Sequence, residues 1–593
     1  MLETRIVACR RLTILSTLCA SVLLLGCEAA PPGSSASSPA SASSDRERAS
    51  EPGREPADEG KAPPFHFVDV SAEVGLSRVL WAGRPGKDHL LDSAGVGAAF
   101  LDYDRDGRLD IYVVNAWRLD GDAIVERGRN ALYRGLSDGT FADVTTSAGV
   151  DGQGNWGSGI CVADYDDDGW PDLLVTNFGP NILYRNNGDG TFTNVAAELG
   201  IETPGWNTGA SFFDADGDGD LDLYIAGYID CTLDDVLQAE RTLDWKGMDK
   251  VAFGPFGLEG ARDHFFVAQD GHFEDRTEDA GFEDKALGFG FAVRAGDLDG
   301  DGRADVYVAN DSDANYLYKA AGDGKFREIG LWSGAAFSAK GAAQASMGLA
   351  LGDVDQDGQD DLFVTHFAED HSTFYRGLDG GFFEDATATV GLARATFQPM
   401  SWGTALADLD NDGDLDLVIA NGHIYPQVDA HPETGMTFGQ QNQVFENRGG
   451  KFWEQTSESG SGFALVQSSR GLAIGDYDND GDLDLLLTCL DAPPVLLRND
   501  SPCGAWLSIT CAVEPGQGPV IGTRVSVVVD GHRLQRDIAA GDSFLSTHDS
   551  RLHFGLGTAE IVDRIEVHWP DGSVTVQSRV PTRQHLVIRK GKS

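Results

Sequence analysis

Basic residues are scarce: 45 Lys and Arg stand against 94 Asp and Glu in 593 residues, a formal net charge of −49. That deficit excludes a nucleic-acid-binding chain, which needs a basic face to displace phosphate counterions. Methionine is rarer still, five residues, whereas glycine numbers 74, a balance that favours a turn-rich β protein over a helical one. The eight cysteines form no CxxC or Cys/His spacing, so neither a zinc site nor a redox pair is indicated. The thirteen histidines, among them His264, His366, His423, His548 and His553, show no H-E-x-x-H or other close ligand spacing. No G-x-S-x-G, phosphate loop or dinucleotide fingerprint occurs. Wholesale disorder is also excluded, because 41% of the residues are hydrophobic and only 23% charged.

Long apolar runs are missing too. The longest at the N-terminus is fifteen residues, Leu12 to Gly26, behind Arg5, Arg10 and Arg11. That is short of the ~20 residues of a membrane-crossing helix and fits the apolar region of a signal peptide. It ends in Leu24-Leu25-Gly26-Cys27, which resembles a bacterial lipobox and implies cleavage before Cys27 and lipidation of its thiol. Residues 27–64 then read as a Ser/Ala/Pro-rich tether with no apolar period. The expected location is the cell envelope, outside the cytoplasm. Cys161 and Cys489 sit in apolar runs and read as buried thiols, while Cys503 and Cys511 are close enough in sequence for a local disulfide.

What the chain does have is one motif repeated seven times, D-x-D-x-D-G-x-x-D. In the first three copies its acids are Asp102, Asp104, Asp106 and Asp110; Asp164, Asp166, Asp168 and Asp172; Asp214, Asp216, Asp218 and Asp222. The next two hold Asp297, Asp299, Asp301 and Asp305, then Asp353, Asp355, Asp357 and Asp361. The last two hold Asp408, Asp410, Asp412 and Asp416, then Asp476, Asp478, Asp480 and Asp484. Carboxylates at positions 1, 3 and 5 of a tight loop converge on one point, the glycine permits the turn, and the acid at position 9 closes the shell. Position 7 adds a backbone carbonyl, from Arg108, Trp170, Asp220, Arg303, Gln359, Asp414 and Asp482 in turn. Oxygen-only ligands in a flexible loop favour calcium, and up to seven ions are expected. A carboxylate clamped on a cation is a poor general acid, so these residues are ligand candidates and none is a catalytic one.

Position 12 of each copy is apolar, from Val113 through Leu487, where an EF-hand needs a bidentate Glu. Each loop therefore runs into a buried strand such as LDLLLTC or LDLVIAN. A small residue stands five before each first Asp (Gly97, Gly159, Gly209, Ala292, Gly348, Gly403, Gly471), as suits strands crowded around an axis. After the second strand comes an aromatic hairpin of the type ILYRNNGDGTFTNV. Four strands per unit and seven units predict an all-β fold, a seven-bladed β-propeller over residues 65–500. FHFVDV near Phe65 supplies the outer strand that the last unit lacks. A second, neutral β domain, a small sandwich or barrel, is expected over 501–593.

These residues resemble the FG-GAP/VCBS repeats of integrin α-subunit propellers and bacterial relatives. The resemblance implies calcium in the loops, on the face opposite the usual ligand-binding face. VIGTRVSVVVDG, LHFGLG and VDRIEVHWPDG resemble the ASPIC/UnbV domain, which follows FG-GAP repeats in the cartilage acidic protein family and in bacterial lipoproteins. Residues 230–262 are an insertion, with a short helix or lid expected near Leu233–Met248. Trp156, Trp206 and Trp402 lie near the starts of inner strands, where they either pack the core or line a sugar-binding rim. The expected function is a membrane-tethered, calcium-binding scaffold for a protein or glycan partner, with no nucleic acid. The alternatives are a polysaccharide lyase or hydrolase using the rim, and a passive envelope component.

Overall fold

The apolar runs behind the acidic loops are strands buried on both faces. Asp222–Gly227, Asp361–His366, Asp416–Asn421 and Asp484–Cys489 are buried at every residue. A strand covered on both sides has no reason to alternate polar and apolar residues, hence the continuous runs. The computed structural model describes residues 63–591 except 249, 283–286, 503 and 513–518. The signal segment, Cys27 and nearly all of the tether therefore lie outside the described residues.

Each repeat forms an antiparallel four-stranded array, such as Trp156–Ala163, Asp172–Phe178, Ile182–Asn186 and Phe192–Asn194. Five arrays are separate sheets, and two more join into an eight-stranded sheet through the pairing of Asp311 with Ala345 and Asp313 with Gln344. The first strands neighbour one another in cyclic order, Ala98–Leu101 touching both Trp156–Ala163 and Ser469–Gly475, so the ring is closed. The last array takes its outer strand from the other end of the chain, with Phe67 opposite Asn499 and Asp69 opposite Leu497. The molecule is an all-β propeller, and its apolar cores lie chiefly in the seams between neighbouring arrays.

The small residues before each loop do what crowding requires. The inner strands shift register beside them, between Gly157 and Ile160, Asn207 and Ala210, Ser346 and Leu349, Ser401 and Thr404, and Ser469 and Leu472. A Cβ on Gly348 would meet the Trp402 carbonyl oxygen at 2.2 Å.

The C-terminal domain is a two-sheet sandwich. Leu552–Gly557, Ala505–Ala512 and Gln584–Arg589 form one sheet, the last two strands parallel; His532–Asp537, Arg524–Val529, Ile561–His568 and Val574–Pro581 form the other. Leu507, Ile509, Val525, Val527, Phe554 and Ile565 fill its core. Residues 539–549 leave this sandwich and enter the propeller's axis, which sequence reading did not anticipate. Ser543 exchanges backbone hydrogen bonds with Leu349 (3.0 and 3.1 Å), and the Leu545 carbonyl accepts from the Ile160 amide at 3.0 Å. The Thr547 amide donates to the Ala98 carbonyl (3.0 Å) and the Asp549 amide to that of Ile474 (2.9 Å). Ser211 Oγ donates to the Ala540 carbonyl (2.6 Å), the Thr404 amide to Ser543 Oγ (3.0 Å), and Arg294 pairs with Asp542 (2.6 Å). The plug thus takes one partner from every array.

Candidate functional site

Each acidic loop is held in shape by its own carboxylates. The first Asp spans the turn: Asp102 accepts from the amides of Asp106 (3.0 Å) and Gly107 (2.9 Å), and Asp297, Asp353, Asp408 and Asp476 repeat both bonds. The fifth-position Asp accepts from the amide of position 7 in all seven loops, from Arg108, Trp170, Asp220, Arg303, Gln359, Asp414 and Asp482, at 2.8–3.1 Å. Residues 4 and 6 both take positive φ, for example Arg105 (59°) with Gly107 (84°) and Asn411 (61°) with Gly413 (106°). Sequence reading identified only the second of these positions.

The ninth-position Asp is more than a shell-closing ligand. Asp110 accepts from the Tyr103 amide (2.9 Å) at the start of its own loop and from the Gly135 amide (2.8 Å) on the third strand. Asp172, Asp222, Asp361, Asp416 and Asp484 make the same two kinds of bond. It staples loop to sheet from a buried position. Burial pushes the carboxyl of Asp110 up to about 8, Asp172 to about 9 and Asp361 to about 8, with Asp222 and Asp305 at about 7. Neighbouring carboxylates in each loop add to the rise.

Such a group of acids is stable as anions only beside positive charge, and part of it comes from the third strand. Arg134 pairs with Asp104 (2.6 Å), Lys319 with Asp299, and Arg376 with Asp355 (3.2 Å). Buried oxygens remain without any hydrogen-bond partner, at Asp104 Oδ1, Asp164 Oδ1 and Asp355 Oδ1. One oxygen each from Asp102, Asp104 and Asp110 lie within 4.8 Å of one another, as do those of Asp164, Asp166 and Asp172, and of the first three acids in the loops at Asp214, Asp297 and Asp353. The clusters have the donor chemistry of a hard-cation site and can hold metal ions.

The C-terminal sandwich docks on part of the face that bears these loops. Arg551 donates to Asn479 Oδ1 (2.6 Å) and the Asp476 carbonyl (2.7 Å), His553 Nε2 lies 2.6 Å from Asn411 Oδ1, and Arg524 reaches Asp360 (2.7 Å). Asn411 and Asn479 are the fourth residues of their loops, so the sandwich grips the loops at their strained position. A cleft of about 620 Å³ remains between the sandwich and the first two arrays.

The channel itself is filled by residues 539–549. Trp156, Trp206 and Trp402 are packed in the core, each at most 2% exposed, and Trp402 also borders a cavity at the far ring end. Trp402 packs on Phe544 of the plug at 4.9 Å, and Trp206 on Tyr228 at 4.7 Å. The expected helix in the insertion is a single short one, Leu233–Leu237, capped by Thr232 and Asp235; beyond it Trp245 packs on Phe367, His423 and Tyr425. Among the described residues Cys161, Cys231, Cys489 and Cys511 form no disulfide; Cys503, the partner considered for Cys511, lies outside them.

A family model of FG-GAP-like repeats matches residues 102–175, 164–225, 297–364 and 353–419, and one named ASPIC and UnbV matches 514–593. Cartilage acidic protein 1 of Mus musculus is 25% identical over 511 residues, 72% of this chain and 73% of that protein. The Homo sapiens protein of the same name is 25% identical over 503 residues, 72% and 71% of the two chains. Among solved structures, YCF48 bound to D1 peptide is similar with a TM-score of 0.37 and 7% identity, covering 73% of this chain and 94% of that one.

Proposed function

We propose that this chain, a propeller of FG-GAP repeats joined to an ASPIC/UnbV domain, is an exported scaffold whose loops bind calcium and whose surface binds a protein or glycan partner. Export follows from the signal-like N-terminus, and the lipid expected on Cys27 would tether the scaffold to a membrane. The observation that carries the reading is the seven-fold set of oxygen-only loops, three of which hold a buried, unpartnered carboxylate oxygen at Asp104, Asp164 and Asp355. In each loop the acids at positions 1, 3, 5 and 9 and the carbonyl at position 7 would hold the ion. Calcium would supply the positive charge that keeps those acids ionised.

Binding only the folded form stabilises by mass action, so melting in EDTA should occur well below melting in millimolar calcium. Individual loops should bind at ~10⁻⁴–10⁻³ M, as in other extracellular modules. Calorimetric titration of the calcium-stripped chain checks both. Identical melting curves with and without chelator, together with no heat of calcium binding, would reject the reading. A pull-down from envelope extract and a glycan array, each with and without EDTA, test the partner class.

A further inference from the structure

At the ring end away from the acidic loops, the strand ends and the 230–262 insertion enclose a cavity of about 360 Å³. Tyr228, Trp245, Phe291, Trp402 and Tyr425 wall it, and Phe256, 68% exposed, stands at its edge. Its volume is in the lower part of the ~300–1,000 Å³ range of small-molecule sites. Among the described residues two carboxylates line it, Asp311 and Asp370, and no Lys, Arg or His does.

Asp311 is the unusual member. Its Oδ2 accepts from the Tyr228 hydroxyl (2.6 Å) and its Oδ1 from the Ser312 hydroxyl (2.8 Å). Among the described residues no cationic side chain pairs with it. Burial raises its pKa, and no neighbouring cation offsets the rise. It lies at a register shift in the pairing that joins two arrays, and Ser312 beside it takes a φ of 62°. Strain of this kind at a pocket wall persists only where the surroundings enforce it. The nearby cations are already committed: Lys246 pairs with Glu369, and Arg470, buried under Trp402, donates to the carbonyls of Ser93 and Ser469 (both 2.8 Å). Asp370 accepts from Gln344 at 2.8 Å.

We infer that this pocket binds a small organic cation, an ammonium carrying apolar substituents, with Asp311 as its counter-ion. Aromatic faces attract such a cation through the ring quadrupole, more strongly when it is desolvated. A neutral apolar ligand would leave Asp311 uncompensated or hold it protonated, and a bare metal ion would leave the aromatic walls unfilled. This site is independent of the calcium loops and of the partner proposed above.

The test uses the full chain in calcium, with choline as the cation and 3,3-dimethylbutan-1-ol as its uncharged isostere. Binding is followed by calorimetry and by the emission of Trp245 and Trp402. Choline should bind at least tenfold more tightly than the alcohol. Asp311→Asn, in which the new amide oxygen can still accept from Tyr228, should abolish that preference, while Met347→Trp, which fills the cavity, should remove both signals. Melting in calcium verifies that each variant folds, and the charged-against-neutral comparison needs no variant at all. Equal affinity for the two probes, a preference that survives Asp311→Asn, or no saturable choline binding to the wild-type chain would overturn the proposal.

Discussion

A carboxylate with both oxygens on backbone amides and almost no contact with water is a structural part whatever else it ligates. Asp172, 1% exposed, accepts from the amides of Tyr165 (3.2 Å) and Asn186 (2.7 Å), and burial lifts its pKa to about 9. The sign of the resulting pH dependence follows by linkage. The unfolded group titrates near 4, so between about 4 and 9 the cation-free folded state holds a proton that the unfolded state has lost. In chelator, stability should therefore fall as pH rises from 5 to 8.5. With calcium the sign reverses, because the ion binds the deprotonated acids and protons compete with it as pH falls. Urea midpoints measured across this range with and without calcium check the reversal; parallel slopes would contradict it. The nine-residue spacing alone marked Asp172 as a ligand candidate. Its second task was hidden, because the amide of Asn186 comes from another strand.

At the scale of elements, hydroxyls and amides stitch neighbouring arrays together. Thr365 Oγ1, on a second strand, accepts from the Gly348 amide (2.8 Å) and donates to the Trp402 carbonyl of the next array (2.6 Å). Thr176 and Thr488 do the same at their own seams. Asn186, Asn447 and Asn499, each ending a third strand, donate to the carbonyls of Tyr103, Val354 and Leu409 in the preceding loop. Thr365→Val keeps the shape but leaves a buried amide and a buried carbonyl unpaired, at a cost of ~1–3 kcal/mol each. The urea midpoint should drop with the slope unchanged, whereas an unaltered midpoint would show that water replaces the hydroxyl. The hairpin motif F-x-D-x-T was legible as a repeat, but its reason lies in packing: Thr387 Oγ1 donates to Asp385 (2.6 Å) and accepts from the Phe374 amide on the neighbouring strand (2.9 Å).

Over the whole molecule, the axis and part of the acidic face are occupied by the chain's own second domain. Phe544, fully buried, packs against Phe291 (5.4 Å) and Trp402 (4.9 Å), joining the plug to the floor of the far pocket. Phe544→Ala should cost ~3–5 kcal/mol, the usual loss for a buried phenylalanine. It should also shift the emission of Trp402, and a melting temperature within a degree of wild type would contradict the placement. The charges agree with the docking. Residues 503–593 have a net charge of +1 against about −50 for the rest, and Arg524 and Arg551 meet the acidic face. Calcium removal should therefore loosen the sandwich as well as the loops, seen as faster proteolysis near residues 539–549.

Repetition explains which parts of this molecule could be read in advance. An oxygen-ligand loop, the apolar strand behind it and the small residue before it act within some twenty consecutive residues, so local spacing determined them, and seven copies determined the propeller. The plug and the carboxylate of Asp311 in its aromatic pocket depend on residues brought together from distant positions, such as Ser543 with Leu349, and the stapling role of the ninth-position acids depends on backbone amides presented by a paired strand. No periodicity records such a meeting, because one partner is a backbone group or a seldom-repeated side chain. Only the closed ring and the domain docked on it decided those.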